Sequence, residues 1–91
     1  MVVKLIELKA AYGRYELQEI YLNPEHVVSI RPVNLKHDLA EVRLPEGLNP
    51  DAEFSKLFMN YGNNGTSVIV TGTPSMVERE ITHKAKSLLK G

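Results

Sequence analysis

Hydrophobic and polar positions in the N-terminal part of the chain alternate with the period of two that is typical of β-strands. Residues 2–9 carry apolar side chains on both sides of such a strand, and residues 15–22 predict a second strand. Gly13 lies between the two, and because glycine adopts the positive φ of a tight turn without strain, the segments predict a β-hairpin. We expect this first strand to be an unpaired edge strand, whose two apolar sides favour pairing with a partner.

Proline residues divide the next part of the chain. Pro24 has no N–H to give to a strand ladder, so residues 23–26 predict a corner. The β-branched segment 27–31 predicts a third strand, which ends at Pro32. Residues 39–44 alternate again and predict a strand with one solvated side.

A helical spacing replaces the alternation after a cluster of proline and glycine residues. Residues 51–61 predict a short helix, with Asn49 as its N-cap and Pro50 at its first position. The apolar stripe of this helix consists of Phe54, Leu57, Phe58 and Tyr61. Residues 66–71 are rich in β-branched side chains and predict the strand that follows.

The last predicted element is an amphipathic helix over about residues 75–90. Two start signals compete for its N-terminus. Ser75 with Glu78 fits a capping box, and Thr73 followed by Pro74 is an equally good beginning. The buried stripe of the helix is expected to consist of Val77, Ile81, Ala85 and Leu88.

Together these elements predict an α+β fold. A small antiparallel β-sheet is covered by the C-terminal amphipathic helix, with a short inserted helix at residues 51–61. No repeat, linker or low-complexity tract interrupts the pattern, so we expect residues 1–91 to form a single domain.

The charge balance changes the expected partners. The chain has 11 Lys and Arg residues against 11 Asp and Glu residues, which removes the global basic field that drives sequence-independent nucleic-acid binding. A net charge of zero also weakens the repulsion between copies of the chain. The absence of cysteine suits a reducing compartment, and no apolar run approaches a membrane span or a signal peptide. We therefore expect a cytoplasmic protein that does not bind membranes.

The chemistry-bearing residues form no recognisable constellation. His26, His37 and His83 are scattered without metal-ligand spacing, the serines lie in no nucleophile elbow, and paired carboxylates fall on predicted solvated faces. These histidines fit surface or corner positions, with a metal or general-base role assembled by folding as the alternative reading. The sequence thus predicts a non-enzymatic protein with no metal and no cofactor.

Basic residues recur on one side of the predicted final helix. Arg79, His83, Lys86 and Lys90 are spaced by four, three and four residues and form one stripe, here called the basic ridge. The ridge is either a surface for nucleic acid or an acidic partner, with Arg31 and Arg43 of the sheet as possible contributors, or a solvated outer face.

Tyrosines flank the predicted hairpin turn. Tyr12 and Tyr15 lie on either side of Gly13 and Arg14. They belong either to the core or to an exposed protein-contact patch, because aromatic anchors are enriched at interfaces.

Two segments resemble a family of small bacterial and phage proteins. Residues 19–30 (EIYLNPEHVVSI) join two strands through a Tyr-Leu-Asn-Pro corner, and residues 67–81 (SVIVTGTPSMVEREI) lead from a strand into the final helix. This arrangement is similar to that of the family of the flagellar protein FlbD, whose short members have no counterpart of residues 45–64. The resemblance implies a small non-enzymatic accessory protein with a β-sheet and a C-terminal helix, and it implies no catalytic residue. It leaves a flagellar, a phage or another context open.

The sequence therefore favours a cytoplasmic protein-interaction module that associates with itself or with another protein. The alternative is a nucleic-acid-binding or transcription-regulatory protein that uses the basic ridge.

Overall fold

A five-stranded antiparallel sheet and one helix make up the part of the chain that the computed structural model describes, residues 2–34, 45, 48, 52–61 and 64–90. The elements in chain order are β1 (Val3–Ala11), β2 (Arg14–Leu22), a 3-10 turn (Pro24–His26), β3 (Val27–Val33), β4 (Phe54–Tyr61), β5 (Asn64–Thr71) and α1 (Pro74–Lys90). The strand order is β2-β1-β5-β4-β3, and all neighbouring strands are antiparallel. The predicted α+β class, with a helix that follows the last strand, is confirmed.

The predicted hairpin joins β1 to β2 through a two-residue turn. Tyr12 and Gly13 have φ angles of 50° and 79°, so both turn residues are left-handed. Two positive φ values are typical of the type I′ turn, whose twist matches that of the strands it connects. Pairing is continuous from Ala11 with Arg14 to Val3 with Leu22.

Side-chain capping explains the predicted corner. The Asn23 side-chain Oδ1 accepts a hydrogen bond of 3.0 Å from the Glu25 N–H, and the Asn23 backbone carbonyl accepts one of 3.0 Å from the His26 N–H. Pro24 occupies the first position of the 3-10 turn, where no N–H is needed. The chain thus leaves β2 and re-enters the sheet as β3.

The inserted helix predicted at residues 51–61 is wrong, because β4 occupies that segment. Its sequence fits both periods, because in a strand Ser55, Leu57 and Met59 share one side while Phe54 and Phe58 share the other. The strand conformation is favoured because β4 pairs along its whole length with β5 and also pairs with β3. Its backbone N–H and C=O groups therefore find hydrogen-bond partners on both sides. Asn49 and Pro50, predicted to begin the helix, lie outside the described residues, as does the predicted strand 39–44.

The helix α1 covers one face of the sheet and closes the main core. It contacts β1, β3 and β4, and Val77 is its buried anchor, with Ile81 half-buried beside the same cluster. The sheet contributes the buried side chains of Val3, Leu5, Leu22, Leu57, Met59 and Val70. The predicted stripe is confirmed at Val77 and Ile81, and the side chains of Ala85 and Leu88 lie outside the described part of the helix.

Thr73 supplies the N-cap of α1, which decides between the two predicted start signals. Its hydroxyl Oγ1 accepts a hydrogen bond of 3.2 Å from the Met76 N–H, and its carbonyl accepts one of 3.0 Å from the Val77 N–H. Pro74 is the first helical residue, a position at which its fixed φ favours the helix.

A second, smaller cluster lies on the opposite face of the sheet. Leu8 and Phe54 are its buried members. The half-buried residues around them are Tyr15, Val33, Leu48, Ala52 and Ile69. Both faces of the sheet therefore carry buried apolar residues, which explains why residues 2–9 are apolar on both sides.

The expectation that the first strand is an edge strand is wrong, since β1 lies between β2 and β5. Its two apolar sides serve the two clusters instead of an outside partner. Within the described residues, the outer strands of the sheet are β2 and β3.

Candidate interaction surface

The outer strand β2 directs one row of backbone hydrogen-bonding groups away from the sheet. The hairpin loop has two residues, so Ala11 and Arg14 form the hydrogen-bonded pair that closes it. Bonded and non-bonded pairs alternate along an antiparallel ladder, so every second residue of β2 points its N–H and C=O towards β1. The remaining residues point these groups outward, and we call their row the β2 edge: Tyr15, Leu17, Glu19 and Tyr21. Among the described residues, β2 pairs with β1 alone.

Large apolar side chains accompany this row. Leu17 is 44% exposed and Tyr21 is 61% exposed. Because alternate residues of a strand share one side, both lie on the same face of the sheet as Tyr15. The β2 edge thus combines outward-pointing backbone groups with apolar contact area.

Charges next to the β2 edge are balanced by close opposite charges. The Arg14 guanidinium donates a hydrogen bond of 3.1 Å to the Glu16 carboxylate, and Lys4 Nζ lies 3.9 Å from Glu19 Oε1. The Tyr21 hydroxyl donates to the other oxygen of Glu19 at 3.4 Å. Exposed ion pairs add little stability, but here two positive charges offset two negative ones along the strand. A second strand that approaches β2 meets no excess of either sign from these four groups.

The other outer strand, β3, carries features that hinder strand addition. Its register with β4 shifts between Val27 and Ser29, and Val28 at this bulge is exposed. Pro32, also exposed, lacks the N–H that a new ladder requires. Bulges and prolines are devices that protect sheet edges. The nine residues of β2 include no proline, and their register with β1 is unbroken.

The two tyrosines predicted as a contact patch have different environments. Tyr12 stands fully exposed at the tip of the hairpin. Tyr15 is half-buried and packs against the cluster of Leu8 and Phe54. Leu17 and Tyr21 are the exposed residues that sequence reasoning missed, although their two-residue spacing from Tyr15 and Glu19 was the available signal.

The described half of the basic ridge is exposed. Arg79 and His83 lie one helical turn apart on α1, and together with Glu78 and Thr82 they line a shallow depression. Glu80, also exposed, adds a second acidic residue to this stretch of helix. The side chains of Lys86 and Lys90 lie outside the described part of α1.

The sheet arginine expected to contribute to the ridge points elsewhere. Arg31 pairs with Lys56, and alternation from the neighbouring pair of half-buried Ile30 and buried Leu57 places both on the face opposite the main core. The structure therefore does not bring Arg31 to the helix, and Arg43 lies outside the described residues.

Among the described histidines, His26 has a structural role at the corner. Its Nδ1 lies 3.1 Å from the Asn60 carbonyl oxygen, and because a carbonyl only accepts, Nδ1–H is the donor. This bond ties the corner to β4. His83 is exposed on α1, and His37 lies outside the described residues. Within residues 2–34, 52–61 and 64–90, no three His, Cys, Asp or Glu side chains form a group that could hold a metal ion.

The depressions in the described surface are open and shallow. One, with a volume of about 510 Å³, is lined by Val28, Phe58, Met59, Asn60, Gly65, Thr66 and Ser67. None of these side chains titrates near neutral pH, so the depression offers no general acid or base. Lys56 Nζ lies 5.4 Å from the centre of the Phe58 ring at its border, a cation–π contact that partly covers the ring.

Comparison with known proteins gives no match: no protein-family model, no curated protein and no solved structure matches the chain. The resemblance to the FlbD family remains a prediction. No helix in the described part of the chain is long and apolar enough to cross a membrane.

Proposed function

We propose that this chain is a non-enzymatic, cytoplasmic protein-interaction module, of accessory type, that associates with a second copy of itself. The observation that carries the proposal is the β2 edge. It lies on a nine-residue outer strand without bulge or proline, and there Leu17 and Tyr21 are exposed beside outward-pointing backbone groups.

Physical chemistry favours pairing of this edge. Outward N–H and C=O groups gain protein partners when another strand is added, and exposed apolar side chains leave water at the same time. Chains with a net charge of zero approach one another without long-range repulsion. Natural sheets usually protect such an edge, as β3 does, so a β2 that pairs with β1 alone among the described residues supports a role in contact.

Light scattering coupled to size-exclusion chromatography of the full chain tests the proposal. We expect a mass above the 10.2 kDa of one chain that rises with concentration. Tyr21→Lys should return the mass to that of one chain, because the change removes an aromatic contact from the β2 edge and adds a positive charge beside the balanced pair of Lys4 and Glu19. Met76→Lys is the matched control, since Met76 on α1 is exposed to a similar degree, 59% against 61%.

A mass that stays at 10.2 kDa at high concentration contradicts self-association. If Met76→Lys dissociates the assembly and Tyr21→Lys does not, the contact involves the helix and the proposed surface is wrong.

Nucleic-acid binding by the basic ridge is the second candidate, favoured by the exposure of Arg79 and His83 on one side of α1. If the ridge binds phosphates, affinity for a DNA or RNA duplex should fall steeply with salt, and Lys86→Glu should abolish binding while the fold is retained. Glu78 and Glu80 in the same stretch oppose this role. Affinity that does not change with salt rejects it.

A further inference from the structure

We infer that two copies of this chain join through β2 in antiparallel orientation around a twofold axis at Gln18, so that their sheets become one ten-stranded sheet. The inference rests on the proposed self-association through the β2 edge and adds the orientation and the register of the two strands. The observation behind this inference is that the four outward residues, Tyr15, Leu17, Glu19 and Tyr21, lie symmetrically about Gln18.

Symmetry restricts how β2 can pair with itself. In an antiparallel pair of identical strands, the two bonded residues lie at equal distances on either side of the axis. Both bonded residues must belong to the outward row, because the backbone N–H and C=O groups of the other β2 residues already bond to β1. The axis therefore passes through a residue position and not between two residues.

Only an axis at Gln18 pairs the whole strand. It places Tyr15 opposite Tyr21 of the second copy and Leu17 opposite Glu19 of the second copy, and the symmetry repeats both pairs. All four outward residues are then bonded within the strand, and each such pair exchanges two N–H···O bonds. The ends also match, since Arg14 and Leu22 bound β2.

Neighbouring registers use the edge less completely. An axis at Leu17 carries Tyr21 beyond the end of the strand, opposite the turn residue Gly13. An axis at Glu19 carries Tyr15 opposite Asn23 at the corner and sets Glu19 against Glu19 of the second copy. Each shift loses a bonded pair, and the second adds repulsion between like charges.

The side chains fit the Gln18 register. On the face that carries the β2 edge, the half-buried Tyr15 meets the exposed Tyr21 of the second copy, an aromatic cross-strand pair. Leu17 of one copy lies diagonal to Leu17 of the other, so the two exposed leucines cover one another. Glu19, opposite Leu17, keeps its ion pair with Lys4 of its own chain.

Single cysteines test this register, because the chain has no cysteine of its own. In the proposed dimer the two Gln18 residues form a non-bonded pair with a Cα separation of about 4.5 Å, within the range of a disulfide. Gln18→Cys under mild oxidation should therefore give a covalent dimer of twice the 10.2 kDa chain mass. Glu16→Cys is the matched control on the same strand and the same face, since its two copies would lie roughly 13 Å apart along the strands.

We expect Gln18→Cys to give roughly tenfold more disulfide dimer than Glu16→Cys, Leu17→Cys or Glu19→Cys. Dominant crosslinking of Leu17→Cys or Glu19→Cys overturns the register, since these residues lie on the axis of the neighbouring registers. A dimeric mass in light scattering without crosslinking at any of these positions overturns the surface and leaves self-association standing. A mass of one chain for the unmodified protein overturns both.

Discussion

Gly72 links the sheet to the helix, and its replacement by alanine tests how the two layers are held together. Gly72 follows β5 and has a φ of 104°, a backbone conformation that L-residues with a Cβ rarely adopt. Its N–H donates to the Glu53 carbonyl at 2.9 Å, and its own carbonyl accepts from the buried Ser55 hydroxyl at 2.8 Å. These two bonds fix the conformation from which α1 begins.

The stability that Gly72→Ala should lose comes from backbone strain and not from a steric clash of the added Cβ. A Cβ at Gly72 would lie 3.6 Å from Met76 Cβ and 3.6 Å from Val77 Cγ2, which is ordinary van der Waals contact. Holding alanine at this φ costs about 1–3 kcal/mol. Alanine also restricts the unfolded chain, which stabilises the folded state by about 0.4–1 kcal/mol. Relaxing φ instead would break one of the two hydrogen bonds, at about 1–3 kcal/mol. By either route Gly72→Ala should lower the free energy of unfolding by about 1–2 kcal/mol.

Urea unfolding followed by circular dichroism, at a protein concentration low enough to keep one species, measures this loss. In a thermal scan each 1 kcal/mol corresponds to a Tm change of about 4–8 °C for a domain of this size. Gly65→Ala is the matched control, because Gly65 lies in β5 without a positive φ and the atom that an added Cβ would approach is the Met59 carbonyl oxygen at 4.0 Å. The control should be neutral or slightly stabilising. A Gly72→Ala variant as stable as the unmodified chain, or a Gly65→Ala variant that loses as much stability, would show that the positive φ of Gly72 is not what limits substitution there.

Three further substitutions probe the core, the helix cap and the hairpin turn. Leu57→Ala should cost about 2–5 kcal/mol in urea unfolding, because Leu57 is fully buried between sheet and helix, whereas Val28→Ala at the exposed bulge should change little. Thr73→Ala should cost about 1 kcal/mol by removing the acceptor for the Met76 N–H, and Thr73→Ser should restore most of it; equal stability of both variants would contradict the cap. Tyr12→Asn should raise the urea midpoint, since asparagine tolerates the left-handed conformation and the exposed ring loses no packing; a lower midpoint would show that the ring contributes to the fold.

A turn, corner or helix start can be predicted from the sequence when the residues that determine it lie close together in the chain. The hairpin turn follows from Gly13, the corner from Asn23 and Pro24, and the helix start from Thr73 and its following proline. In each case the residues that decide the structure are within four positions of one another, so one sequence is enough.

Segment 54–61 shows where that approach fails. Its apolar residues fit a helix and a strand alike, and the strand is selected by pairing with β5 and with β3, which is distant in sequence. No local signal reports such a partner.

The candidate surface depends on the same long-range information. The sequence placed Tyr12 beside the hairpin turn and left open whether it is exposed, whereas the identity of the outer strand follows from β1 pairing with β5, more than fifty residues away. Alternation groups Leu17 and Tyr21 with Tyr15, yet only the strand order shows that their backbone groups point away from the sheet.

Amide hydrogen exchange, resolved by residue and measured over a range of protein concentrations, shows whether the outward N–H groups of β2 become bonded when the chain associates. We expect the N–H groups of Tyr15, Leu17, Glu19 and Tyr21 to exchange rapidly in dilute solution and to become protected together as the concentration rises, while those of the alternate residues of β2 are protected throughout. Rapid exchange of these four amides at every concentration, in a solution where the mass shows association, would contradict pairing through β2.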